Sequence, residues 1–196
     1  MNHSAQASLP ITAPFSAYGM HADAILVATG VLLLTVSAKV QIPLWPVPMT
    51  MQTYVILVIG MAYGTRLGAI TVLGYLLAGA IGLPVFAGTP EKGVGLPYML
   101  GPTGGYLIGF LLAAFLMGGL AQRGWDRHMG LSVAGMTIGH LLILACGVTW
   151  LAASLGWERA IAVGAEPFVA ATILKTALAG MTLPVAWGWV NRLRSR

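Results

Sequence analysis

Six mostly apolar stretches run through the chain, at 23–38, 49–63, 67–83, 102–121, 131–155 and 167–190, separated by glycine, proline or charge. Apolar runs of that length, punctuated in that way, predict membrane-crossing helices. The expected architecture is all-α: a single domain over 1–196, built as a compact bundle of about six transmembrane helices. The second and third runs are short for a bilayer that takes roughly 20 residues per span. They are expected to be thinly embedded or to extend into their flanks. Five spans with a re-entrant pair is the other arrangement this pattern allows.

Composition agrees with lipid as the main solvent. Hydrophobic residues make up 58% of the 196 residues and charged residues 8%, with a mean hydropathy of +0.85. A soluble domain carries roughly a quarter charged residues, because its surface faces water. The formal charge of +5 does not point to nucleic acid, since the basic residues stand singly in connections or gather at the C-terminus. Their distribution bears instead on orientation. With both termini cytoplasmic, the inner connections hold Arg66, Arg123, Arg127, Arg192, Arg194 and Arg196, and the outer ones Lys39, Lys92 and Arg159. That excess on one side predicts a multi-pass protein with both ends in the cytoplasm. The stretch 1–17 has no basic segment before its first apolar run, so no cleaved signal peptide is expected.

Small residues recur at four-residue spacing: Ala24 and Ala28; Gly74, Ala78 and Gly82; Gly101, Gly105, Gly109 and Ala113; Gly135 and Gly139. On a helix that spacing shares one face, where backbones approach closely. Most of these are expected to pack the bundle. Ala24 and Ala28, on a first helix that belongs at the bundle's edge, are the candidates for docking an external partner. No sequence repeat suggests an inverted-repeat transporter.

Polar groups inside the apolar runs are the candidate chemistry. A lysine within a span costs a few kcal/mol on insertion scales, so Lys175 is expected to face a cavity and find a partner. With the sixth helix starting at Pro167, Lys175 falls about 12 Å below the helix end. Thr172 and Thr176 lie on or near the same face. Gln52, in the run PVPMTMQTY, offers two donors and an acceptor, which suits an amide or urea ligand and equally an exposed carbonyl beside the prolines. His140 with Thr137 is a possible polar pair, and a lone histidine is more often packing than ligand. The connection 84–101, PVFAGTPEKGVGLPYMLG, is too apolar for a solvated linker; it predicts a lid over a cavity or a loop tucked on the bundle.

Several chemistries are excluded. The chain has no GxxxxGK[ST], HExxH or GxSxG motif and no paired intramembrane carboxylates, which argues against an ATPase of that type, a metalloprotease, an aspartyl protease and a serine hydrolase. A single cysteine, Cys146, excludes an internal disulfide and a CxxC metal site. Nothing calls for a metal, a cofactor or catalysis by this chain.

The run from Ile42 through VPMTMQT and GLPVFAG to GPTGGYL, followed by FVAATILKTALAG, closely resembles the BioY family, the biotin-specific S components of energy-coupling factor transporters. The resemblance covers roughly Ile42 to Gly180, and its specificity lies in the order of the motifs. It implies a six-helix fold in the bacterial cytoplasmic membrane, with biotin captured near the outer face beneath loops. As partners it implies a transmembrane coupling protein and paired ABC-type ATPases, with Ala24 and Ala28 on the coupling protein; some members are thought to act without the ATPases, as oligomers. Carried onto this chain, it places Gln52, Thr172 and Lys175 at one polar end of the site and Lys92 near the loops. Phe86, Tyr98, Tyr75 and Tyr106 become apolar walls. Two positions depart from the family pattern: Thr172 stands where an Asp is common, and Lys92 where many relatives carry an arginine, whose bidentate fork lysine lacks.

An S component for another vitamin, such as thiamin or niacin, is the nearest alternative. A membrane-embedded enzyme would need convergent acid, base or nucleophile groups, and a channel would need polar faces running the depth of several spans. The sequence offers neither.

Overall fold

The computed structural model describes residues 11–12 and 19–194. The stretch read for a signal peptide therefore lies, except for Ile11 and Thr12, outside the described residues, and so does Arg196. The architecture is all-α. Helix α1 spans Met20–Lys39, α2 Gln52–Ala80, α3 Gly95–Met99, α4 Gly104–Gln122 and α5 Met129–Leu155. The short α6, Trp157–Gly164, precedes the long α7, Val169–Arg194. Among the described residues, five stretches are long and apolar enough to cross a membrane: Met20–Lys39, Gln52–Ala80, Gly104–Gln122, Met129–Leu155 and Trp157–Val190.

Helix α2 is two passes. At Gly64 the backbone takes φ 76° and ψ 176°, a conformation that a residue with a Cβ rarely adopts. A Cβ placed on Gly68 would lie 3.2 Å from Cα of Gly60, a contact that only a chain folded back on itself can make. Likewise Gln52 bonds Tyr75 directly, although 23 residues of straight helix would separate them by about 34 Å. The arms 52–63 and 65–80 are thus an antiparallel hairpin, and the bundle has six passes.

Close approach of small residues holds the passes together. A Cβ on Gly118 would meet the backbone N of Thr65 at 2.2 Å, and one on Gly105 would meet the Cβ of Trp150 at 2.3 Å and the carbonyl of Cys146 at 2.5 Å. So α4 sits against the Gly64 turn on one side and α5 on the other. Dispersion between backbones at that distance replaces the hydrophobic effect, which lipid does not supply. The outer surface carries large apolar side chains such as Leu32, Phe115, Leu141 and Trp189, as a lipid-facing surface requires.

Three features differ from the pattern-based expectation. The prolines of IPLWPVP, which cannot continue a helix, lie in a small antiparallel ribbon: β1 Gln41–Ile42 pairs with β2 Met49–Thr50 in the register Gln41↔Thr50 and Ile42↔Met49. The connection before the last pass contains α6, set off by Gly156 at φ 77°. Pro167 belongs to a 3-10 turn, Glu166–Phe168, and α7 begins two residues later. Lys175 is therefore about 9 Å along its helix and not 12.

At the Gly64 end, a 3-10 turn, Trp125–Arg127, joins α4 to α5. Its Asp126 is buried and accepts the indole N–H of Trp187 from α7 at 2.5 Å. Arg127 lies over the same indole, 4.4 Å from the ring centroid. Burial raises the carboxyl pKa of Asp126 above its ordinary value, against the lowering effects of the Trp187 bond and of Arg127.

Candidate functional site

The opposite end of the bundle holds a cavity that is partly open to the outside. Its covers come from loops: Val47, Pro48 and Thr50 from the β1–β2 ribbon, and Phe86, Ala87 and Tyr98 from the long connection. Its walls come from the helices, with Gln52 and Thr53 at the start of α2, Tyr106 and Phe110 of α4, His140 and Ile143 from the middle of α5, and Thr172 and Lys175 of α7. A largely apolar lining with a few convergent polar groups suits a small organic ligand.

Lys175 is 6% exposed. Its Nζ donates to the carbonyl oxygen of Thr50 and to Oγ1 of Thr53, both at 3.0 Å. An ammonium has three N–H groups, so one remains for the cavity. Among the described residues no aspartate or glutamate lines the cavity; the lysine's partners there are neutral oxygens. Thr172 lines the cavity beside it.

Gln52 lines the cavity too, but most of its bonding is internal. Its Nε2 donates to the hydroxyl of Tyr75 at 2.6 Å, and that hydroxyl donates to the carbonyl of Val85 at 3.0 Å. Tyr75 is fully buried behind the lining. Expected as a wall of the site, it is instead a strut between Gln52 and the loop. Phe86 and Tyr98 do face the cavity, stacked with ring centroids 4.9 Å apart. The Tyr98 hydroxyl donates to the carbonyl of Ala87 at 2.8 Å, and burial raises its pKa above the ordinary value. Tyr106 donates to the carbonyl of Gly164 at 2.6 Å, joining α4 to the end of α6.

Lys92 is exposed and outside the lining. Its stem lies on Gly88, within 2.8 Å of where a Cβ would stand. The lysine hydrogen-bonded to the backbone of the loop is a different one. Lys39, at the end of α1, donates from Nζ to the carbonyls of Phe86 and Thr89, both at 3.0 Å, and to Oγ1 of Thr89 at 3.1 Å. In the sequence, Lys39 is indistinguishable from any basic residue flanking a span. The loop is thus a lid tied to the first helix.

Thr137 does not pair with His140; its hydroxyl returns to the carbonyl of Val133 on its own helix at 2.9 Å. The partner of His140 comes from α7: its Nδ1 lies 2.9 Å from Oγ1 of Thr176 and 3.0 Å from the carbonyl of Met136. Ala24 and Ala28 are far from the cavity. Both are exposed and line a groove at the Gly64 end with Val27, Tyr63, Arg66 and Gln122.

The sequence profile of the BioY family matches residues 5–192. A probable biotin transporter BioY of Pyrococcus horikoshii is 38% identical over 154 residues, which is 79% of this chain and 89% of that protein. The biotin transporter BioY of Thermotoga maritima is 40% identical over 152 residues, covering 76% of this chain and 86% of the relative. In fold, the chain is similar to the crystal structure of the S-component for biotin from an ECF-type ABC transporter: TM-score 0.70, 24% identity, 89% of this chain and 91% of that one covered.

Proposed function

The chain belongs to the BioY family, and from that premise we propose that it captures biotin and carries it across the cytoplasmic membrane as the substrate-binding component of an energy-coupling factor transporter. It is a multi-pass membrane transport protein and not an enzyme. The observation that carries the reading at the level of the site is the cavity, covered by loops, whose apolar lining contains one ammonium with an N–H to spare. Biotin matches that inventory: an apolar ring sulfur and chain, a ureido group with one acceptor and two donors, and a carboxylate at the far end.

In this reading the neutral ureido group goes inward and the carboxylate stays near the loops, since burying a carboxylate costs far more than burying a hydrogen-bonded neutral group. The free N–H of Lys175 meets the ureido oxygen, with Thr172 and Gln52 beside it. Phe86, Tyr98 and Tyr106 flank the ring system, and Tyr75 braces Gln52 from behind. Lys92, on a flexible stem close to the lid, supplies charge near the carboxylate. The groove bearing Ala24 and Ala28 is the docking face for a transmembrane coupling protein with its ABC-type ATPases, and both termini lie in the cytoplasm. Homo-oligomers are the arrangement for work without the ATPases.

The test is calorimetry on purified protein with biotin, thiamin, riboflavin and niacin. Biotin is expected to bind with a Kd between about 1 nM and 1 μM, the others far more weakly. Binding of thiamin or niacin in preference to biotin would overturn the assignment.

A further inference from the structure

One polar side chain of the cavity wall lies outside the set of ligand contacts given above. His140 is 1% exposed and lines the cavity from α5, among Phe110, Ile143 and Leu144. Its Nδ1 is engaged by Thr176 and the Met136 carbonyl. Among the described residues its Nε2 has no hydrogen-bond partner, and it is buried. A buried ring nitrogen left unpaired carries a desolvation cost that nothing offsets, so such an atom on a cavity wall marks a place where a ligand atom completes the bonding.

We propose that Nε2 of His140 is a ligand contact that accepts a hydrogen bond from a ureido N–H of biotin. The inference rests on the biotin reading above. A carbonyl oxygen can only accept, so a hydrogen bond across the 3.0 Å contact to Met136 requires the tautomer with its proton on Nδ1, in which Nε2 is a bare acceptor. The ligand's donors need one. Lys175 can only donate, and so serves the ureido oxygen, while the two ureido N–H groups require acceptors. Thr172 offers a single neutral hydroxyl, the Gln52 Oε1 already accepts from Oγ1 of Thr50 at 3.4 Å, and among the described residues no aspartate or glutamate lines the cavity. His140 supplies the missing acceptor from the neighbouring helix, held in orientation by Thr176, the residue that follows Lys175.

Two substitutions separate contact from scaffolding. His140→Asn keeps a polar atom near the Nδ1 position, for Thr176, and removes Nε2. His140→Gln reaches the Nε2 position and gives up the Nδ1 contact. The expected result is a loss of biotin affinity of about tenfold for Asn, as for one good hydrogen bond, with affinity largely restored in Gln. A purely structural histidine predicts the reverse order, which overturns the proposal. Biotin methylated on its ureido nitrogens should bind the Asn variant and the unsubstituted protein in nearly equal measure, whereas biotin amide, altered only at the carboxylate, should keep the tenfold gap. Should the variants misfold, unsubstituted protein carrying 15N in its histidine rings gives the answer. Biotin should shift an Nε2 resonance of one of the four histidines, and no shift sinks the proposal. If the unsubstituted protein fails to bind biotin at all, the uptake reading itself falls; normal binding with a fully active Asn variant removes only His140.

Discussion

Lys39 and Phe86, 47 positions apart, meet where the ammonium of one donates to the main-chain carbonyl of the other at 3.0 Å. The same ammonium holds Thr89, so the end of α1 fastens the loop whose Phe86 covers the cavity. Lys39→Met removes these bonds and leaves the lining untouched. Because the lysine is exposed, water competes for it and the effect on overall stability should be small. Biotin dissociation should speed up several-fold in a filter or stopped-flow assay, with Lys39→Arg close to the unsubstituted rate. An unchanged rate would show that the loop stays shut by its aromatic packing alone.

Lys175→Ala should weaken biotin binding by more than tenfold, since it removes the charged donor and frees the Thr50 carbonyl and Thr53 hydroxyl it satisfies. Thr172→Asp places a carboxylate beside the ammonium and should hold or raise affinity. Titration calorimetry in detergent reads both, and full affinity in Lys175→Ala would put the lysine outside the site.

Two adjacent glycines provide an internal comparison for packing. A Cβ at Gly118 would strike the backbone of Thr65, 2.2 Å away, whereas one at Gly119 meets nothing within 4 Å. Gly118→Ala should lower the thermal midpoint in detergent by several degrees, in line with about 1–3 kcal/mol of overpacking. Gly119→Ala should leave it unchanged. Equal midpoints would mean that α4 and the Gly64 turn are less tightly joined than described.

Asp126 predicts a pH dependence. Its carboxyl pKa is raised by burial in the folded protein, so the folded state binds the proton more tightly than the unfolded state. Stability is then greatest below the ordinary carboxylate range, falls as pH rises from about 4 through the raised value, and is flat above it. Asp126→Asn keeps an acceptor for the Trp187 indole and should abolish that fall. The measurement is the thermal midpoint of both proteins between pH 4 and 7, and parallel curves would show that this carboxyl contributes nothing to it.

At the far groove, Ala24→Trp or Ala28→Trp should leave biotin binding intact and block uptake in cells that supply the coupling protein and ATPases. Surviving uptake would remove that face as the docking surface.

Much of the fold is legible because lipid imposes a simple rule. Apolar runs ended by glycine, proline and charge give six passes, and the break between the second and third falls where Gly64 turns the chain. The β1–β2 ribbon is hidden because two residues per strand leave no period among three prolines. Helix α6 is hidden because eight residues mixing Trp157, Glu158 and Arg159 look like any polar connection. At the site, Lys175 stands out since a charge inside an apolar run is costly. Lys92 and Lys39 cannot be ranked by sequence, because loop conformation decides which ammonium meets the lid. His140 looks like a packing residue until the structure shows which of its two nitrogens lacks a partner.

The fold-back at Gly64 leaves the first arm of α2 about 18 Å long, against roughly 30 Å of hydrocarbon to be crossed. The chamber is therefore volume that a full-length helix would have filled, roofed by a ribbon and a loop. Lys175 closes the seam on the ribbon side, where Thr50 and the lysine also border an apolar cleft next to Ala171 and Leu174. Solute exchange then asks only those covers to part, while the packed passes beneath remain a fixed cup. Residence time then depends on the covers, while the helices beneath supply Lys175 and Thr172, so residues of the ribbon and loop that do not line the chamber can change how long a molecule is held.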